Sequence, residues 1–251
     1  MSFDPNQFSP MWEALPDSAK ESLLGPPSKE LGNMIGDIVH ILGTPFRMIK
    51  IVSDEKVEQF AKRTKEKVSA IPDENRDSTK LPIAVKTIED AKYSLNDEGM
   101  QEIFSNLIAN SLNNTKNVDI SIRFSTVLSQ LSPKDALFLK KIHDAKYNSI
   151  LTGKLIVKNG DGSYHPVTRI VFDTLNDNVF LGFEQSTDVL SSLGVIEVHK
   201  DAWLVSDEYN SEYQNIEEFL RTSGVPNNSE LEKGYISLTT FGQAFLKACL
   251  E

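Results

Sequence analysis

Four histidines and one cysteine are the side chains best suited to metal or nucleophilic chemistry in this sequence. His40, His143, His165 and His199 are widely separated, so neither H-E-x-x-H nor H-x₃-H spacing exists. Cys249 has no second cysteine for a zinc pair or a disulfide. A Cys-His nucleophile is the sharper alternative for it. Its place among Phe241, Phe245 and Leu246 at helical spacing instead predicts a buried, inert thiol. His143 is expected near a helix end, where a cation suits the negative terminus, and His165 and His199 on the surface.

Other chemistry-bearing clusters also resolve into structure. Gly160-Asp161-Gly162 invites a phosphate-loop assignment, but a strand follows it rather than a helix, so a hairpin turn is expected. Asp173, Asn176, Asp177 and Asn178 lack the glycine and terminal Glu of a calcium loop. Glu217 and Glu218 are adjacent and point to different parts of a helix surface. No G-x-S-x-G, Walker A or G-x-G-x-x-G occurs. No catalytic, cofactor-binding or metal-binding residue is therefore assigned, and no cofactor is expected.

The elements that would position any site are mostly helical. Leu31, Met34, Ile35, Ile38, Val39 and Leu42 follow helical spacing within Gly32–Val52. That stretch is the most membrane-like in the chain, yet it carries Asp37, Arg47 and Lys50. Each such charge costs about 2.5–3.5 kcal/mol at the centre of a span, so a packed helix or helix pair is expected instead. Ile38, Leu42, Phe46 and Ile49 are its candidate contacts for a partner or a membrane surface.

Ser53 then opens a charged helix ending at Ile71-Pro72, and PDENRDSTKLP reads as a linker. Pro82, then Asn96 or Asp97, start two further helices, and a third follows from Ile120 to Leu131. Ser132-Pro133-Lys134-Asp135 starts another. After Tyr147 the period changes. Lys154–Val157 and Thr168–Phe172 flank NGDGS as a hairpin, so β-structure is expected only after residue 150. A helix ends at Gly194, a strand runs from Val195 to Val198, and another starts at Gly234. Thr239 caps the last helix.

This helix–strand–strand order resembles a winged-helix module with a long wing, Lys200 to Lys233, which has a short helical signal of its own. The expected fold is mainly α, all-alpha in its coarsest label. It comprises an N-terminal extension (1–30), a helical bundle (31–131) and a winged-helix-like α+β domain (132–251). The wing region holds nine carboxylates, Glu197, Asp201, Asp207, Glu208, Glu212, Glu217, Glu218, Glu230 and Glu232, against Lys200, Arg221 and Lys233. The segment Ser186–Leu193 that would read DNA has no Lys or Arg. Phosphate contacts from such a face are repulsive, so nucleic acid is not an expected partner.

Composition agrees. Lys plus Arg number 26 against 36 Asp plus Glu, for a net charge of −10, which disfavours nonspecific nucleic-acid binding. With 39% hydrophobic residues the chain can bury a core. A single cysteine and the absence of an apolar leader in MSFDPNQFSPMWEALPDSAK suit a cytoplasmic protein.

The ordered set GTPFRMIKI, SAIPDEN, IFSNLIANSL, FSTVLSQLSPKDALFLKKI and YISLTTFGQAFLKACL resembles the Abi-alpha (abortive infection alpha) family of bacterial proteins, across nearly the whole chain. The resemblance implies a cytoplasmic bacterial protein of antiphage defence and supplies no catalytic motif. The expected function is thus a non-enzymatic defence component that touches a protein partner or a membrane surface. A winged-helix transcriptional regulator and an enzyme with an unrecognised site are the alternatives.

Overall fold

The computed structural model describes residues 52–173, 178–180, 183–200, 202–222 and 224–251, together with Ile35 and Val39. For 146, 167–173 and 178–180 it describes the backbone alone. The chain divides into two compact units, one of residues up to Pro133 with Ala244–Glu251, the other Lys134–Gln243.

Helices build the first unit. α1 (Asp54–Ser69) starts where the Ser53 hydroxyl accepts from the Lys56 N–H, with Asp54 and Glu55 in the positive first turn. Its buried side is Val57, Phe60, Ala61, Thr64 and Val68. α2 (Leu81–Ala91) has Pro82 in its first turn, and α3 (Glu98–Ser111) is capped by Asp97, which accepts from Met100 N at 2.8 Å. α4 (Ile122–Ser129) buries Phe124, Val127 and Leu128. Between α1 and α3 the buried hydroxyls of Thr64 and Ser105 lie 2.9 Å apart, and Arg63 and Lys67 each reach Glu102 at 2.6 Å. Phe124 meets Phe245 edge-on at 5.5 Å. Ile35 and Val39 are helical and buried.

The segment read as a linker is tied down instead. Asp77 N–H donates to Leu112 C=O and Asn114 N–H to Asn75 C=O, both at 2.9 Å. Asn117 Nδ2 donates to the Asp77 carboxylate at 2.8 Å. Burial would raise the Asp77 pKa, but bonds from Asn117 and Thr79 and the nearby Lys80 charge hold it below the usual range. Arg76 and Asn113 form an isolated β-bridge here, well before residue 150, where β-structure was not expected. Backbone pairing between segments far apart in sequence leaves no compositional trace.

The second unit contains the sheet, which rules out the all-alpha label: the class is helix-dominated α+β. α5 (Pro133–Asp144) leads through Tyr147 and Asn148, both at positive φ, into β1 (Ser149–Lys158) and β2 (Tyr164–Asp173). Their turn is the one NGDGS predicts, with Asn159 N–H donating to Ser163 C=O at 2.7 Å and Asp161 accepting from Ser163. β3 (Asn178–Phe180), α6 (Glu184–Ser192) and β4 (Ile196–His199) follow. Then come α7 (Asp207–Thr222), β5 (Ser229–Leu238) and α8 (Thr240–Leu250), whose residues from Ala244 onward belong to the first unit. The antiparallel strand order is β3-β2-β1-β5-β4.

Two details depart from expectation. The last strand begins at Ser229 rather than Gly234, because Leu231 pairs with Leu155 within an otherwise charged alternation. The helix expected as a short one within the insertion has 16 residues, and it buries Tyr209, Tyr213, Ile216 and Leu220 against Leu151 and Leu155. At the turn into α8, Thr239 Oγ1 accepts from Gly242 N–H at 2.8 Å, as its capping role requires. A Cβ on Gly242 would lie 1.9 Å from the Val195 carbonyl oxygen, so only glycine fits.

Candidate functional site

Strand alternation sorts the sheet into two faces. Leu151, Leu155 and Leu231 pack against α7, so Thr152, Lys154, Glu232 and Gly234 lie on the opposite face. There a groove of about 720 Å³ opens, walled by Tyr164 from β2 and by Lys200 and Trp203 just past β4. Both rings are about half exposed, Tyr164 at 54% and Trp203 at 52%. Gly234 forms part of the floor; a Cβ there would come within 2.5 Å of the His199 carbonyl oxygen.

The charges in the groove are loosely held. Lys154 Nζ lies 3.9 Å from the Glu232 carboxylate and 5.7 Å from the centre of the Tyr164 ring. The rim is rigid by contrast. His199 stacks on Tyr235 across the β4–β5 pair, with centroids 4.1 Å apart and planes at 13°, and its Nε2 lies 3.0 Å from Ser237 Oγ. From the α7 side, Tyr213 donates its hydroxyl to Gly234 C=O at 2.5 Å. Burial pushes that phenol far above its ordinary pKa, so it remains a donor.

A second surface is the outer side of α7. Asp207, Glu208 and Glu218 are exposed there, and Phe219 is 47% exposed. Val205, in the extended segment before the helix, is 70% exposed.

Sequence candidates fall in different places. Ile38, Leu42, Phe46 and Ile49 lie outside the described residues. Cys249 is fully buried, and burial holds its thiol far above the ordinary value, as an inert core residue requires. His165 is exposed and His143 half-buried near the end of α5. His199 was expected simply on the surface; its half-buried stacking on Tyr235 depends on register, which sequence spacing does not reveal. The α6 helix carries Glu184 and Asp188 and no Lys or Arg. Among the described residues no three His, Cys, Asp or Glu side chains gather as a metal site. Among them too, no helix is long and apolar enough to cross a membrane.

Sequence order missed the groove, because Tyr164, Lys154 and Trp203 meet only once β1, β2 and β4 are in register.

A helical unit joined to a sheet that carries a helix-bearing acidic insertion defines a helix-dominated α+β protein. The family model described as abortive infection alpha matches residues 52–249. The chain belongs to that family, which ties it to abortive infection as an antiphage defence. No curated protein and no solved structure matches it.

Proposed function

We propose that this chain acts in abortive infection without catalysing a reaction, by holding a protein partner against the outer side of α7. The observation that carries this is the division of that helix into two sides. One is anchored on the sheet by Tyr209, Tyr213, Ile216 and Leu220; the other presents Glu218 next to exposed Phe219 near the end of the helix, with Asp207 and Glu208 exposed in its first turn. An exposed apolar side chain on an acidic helix face suits a partner surface that pairs an apolar pocket with basic groups.

The framework is winged-helix-like: α5, α6 and the strand order β1-β5-β4 support that description, with β2 and β3 added between the helices. A DNA-reading use of it is disfavoured by the carboxylates on α6 and α7. Contact with a membrane surface through Ile38, Leu42, Phe46 and Ile49 rests on sequence alone, and a cytoplasmic site of action rests on the family and the lone cysteine.

The test is photo-crosslinking from a benzophenone side chain at position 219 in infected cells. A discrete protein adduct that weakens with Glu218→Lys is expected. Absence of any adduct, or one indifferent to that reversal, contradicts the proposal.

A further inference from the structure

We infer that the groove on the sheet face opposite α7 binds a nucleoside phosphate. Its volume, about 720 Å³, falls in the range of small-molecule sites, and its lining has the two chemistries such a ligand needs. Trp203 and Tyr164 offer ring faces on which a base stacks, and every base has a π face to stack with. Lys154 and Lys200 offer ammonium groups for the phosphate.

Placement favours the same ligand. Lys200 directly follows His199, whose backbone is fixed by β4 pairing and whose ring is stacked on Tyr235. Trp203 directly precedes Leu204, which packs into the core under α7. Both groups therefore project from anchored backbone, so little ordering is left to do on binding. The Lys154–Glu232 pair, at 3.9 Å, is long enough for the ammonium to turn to a phosphate. Glu232 is then left to accept hydrogen bonds from ribose hydroxyls or a base amino group, as carboxylates do in dinucleotide sites. Gly234 leaves the floor clear where a side chain would fill it.

Charge sets the size of the ligand. On the groove face Lys154 and Lys200 outnumber Glu232, although the whole chain is acidic; Lys233 points to the α7 side, where it pairs with Glu217 at 3.1 Å. Beyond it along β5 stands Glu230, paired with Lys158 at 2.5 Å, so the next residues on this face present a neutralised pair rather than further cations to a longer strand of nucleic acid. An acidic peptide would use the lysines and leave both aromatic faces bare. This ligand site is separate from the partner surface of α7, and the two can fail independently.

The experiment titrates the four nucleoside 5′-monophosphates into the full chain carrying Trp12→Phe, which leaves Trp203 as its indole reporter. Adenosine, inorganic phosphate and a short polyglutamate peptide are the comparison arms, and calorimetry runs in parallel. At least one nucleotide should quench Trp203 saturably, binding at least about tenfold tighter than adenosine or phosphate alone. The double change Lys154→Gln, Lys200→Gln should weaken that binding about tenfold or more with unchanged melting. By calorimetry, Trp203→Ala should do the same. Three results would overturn the inference: no saturable binding up to about 10 mM nucleotide, binding indifferent to these substitutions, or tighter binding of polyglutamate or of phosphate alone.

Discussion

The Tyr213 hydroxyl donates to the Gly234 carbonyl at 2.5 Å, across the sheet from the groove that Gly234 floors. One buried bond thus fixes α7 to the strand beneath the candidate ligand site.

Removing that hydroxyl with Tyr213→Phe should cost about 1–2 kcal/mol, because a buried carbonyl loses a partner. Tyr213→Ala should cost about 3–5 kcal/mol, since the ring is fully buried. Urea melts of the full chain check both values. Equal losses for the two variants would mean that the hydrogen bond, not the ring packing, carries the anchor.

Gly242→Ala should destabilise by about 3 kcal/mol, since its Cβ would sit 1.9 Å from a backbone carbonyl that also accepts from Thr239 N–H. Gly160→Ala is the control: no atom lies within 4 Å of its Cβ, and its melting should not move.

Much of this framework was legible in the sequence, for local reasons. Ser53, Asp97 and Thr239 cap helices because their side-chain oxygens reach N–H groups three residues on, and NGDGS closes its hairpin through Asp161 and Ser163. Gly194 ends α6 at a φ of 73°. What escaped depends on distant residues. The strap from Arg76 and Asp77 to Leu112 and Asn113 is made by backbone groups that any sequence carries. The polar start of β5 hid its strand, and the His199–Tyr235 stack and the groove exist only through register.

Acid should weaken the contact between α1 and α3. Burial alone would raise the Glu102 pKa, but hydrogen bonds and charge from Lys67 and Arg63 outweigh it and hold the group below its ordinary 4.5. A depressed carboxyl stabilises fully above its unfolded pKa and loses that contribution as pH falls through the folded value. With the pair partly exposed and screened, the gain is about 0.5–1 kcal/mol. Denaturant melts should show wild type ahead of Glu102→Gln at pH 7, with the gap closing below about pH 4.

Cys249→Ala, His143→Ala and His165→Ala should each leave phage protection intact. Cys249 should resist thiol reagents until the chain unfolds, given its complete burial. Loss of protection in any one of these variants, at wild-type abundance and melting, would point to a reaction centre and against a purely contact-based role.

Phage plating on cells expressing Val205→Asp, Phe219→Asp tests the contact role most directly. Both side chains are exposed, so the variant should melt with the wild type. The expected result is normal melting and abundance with protection lost and plating restored to that of cells without the gene. Full protection by this folded variant would contradict a defence role exercised through the outer side of α7.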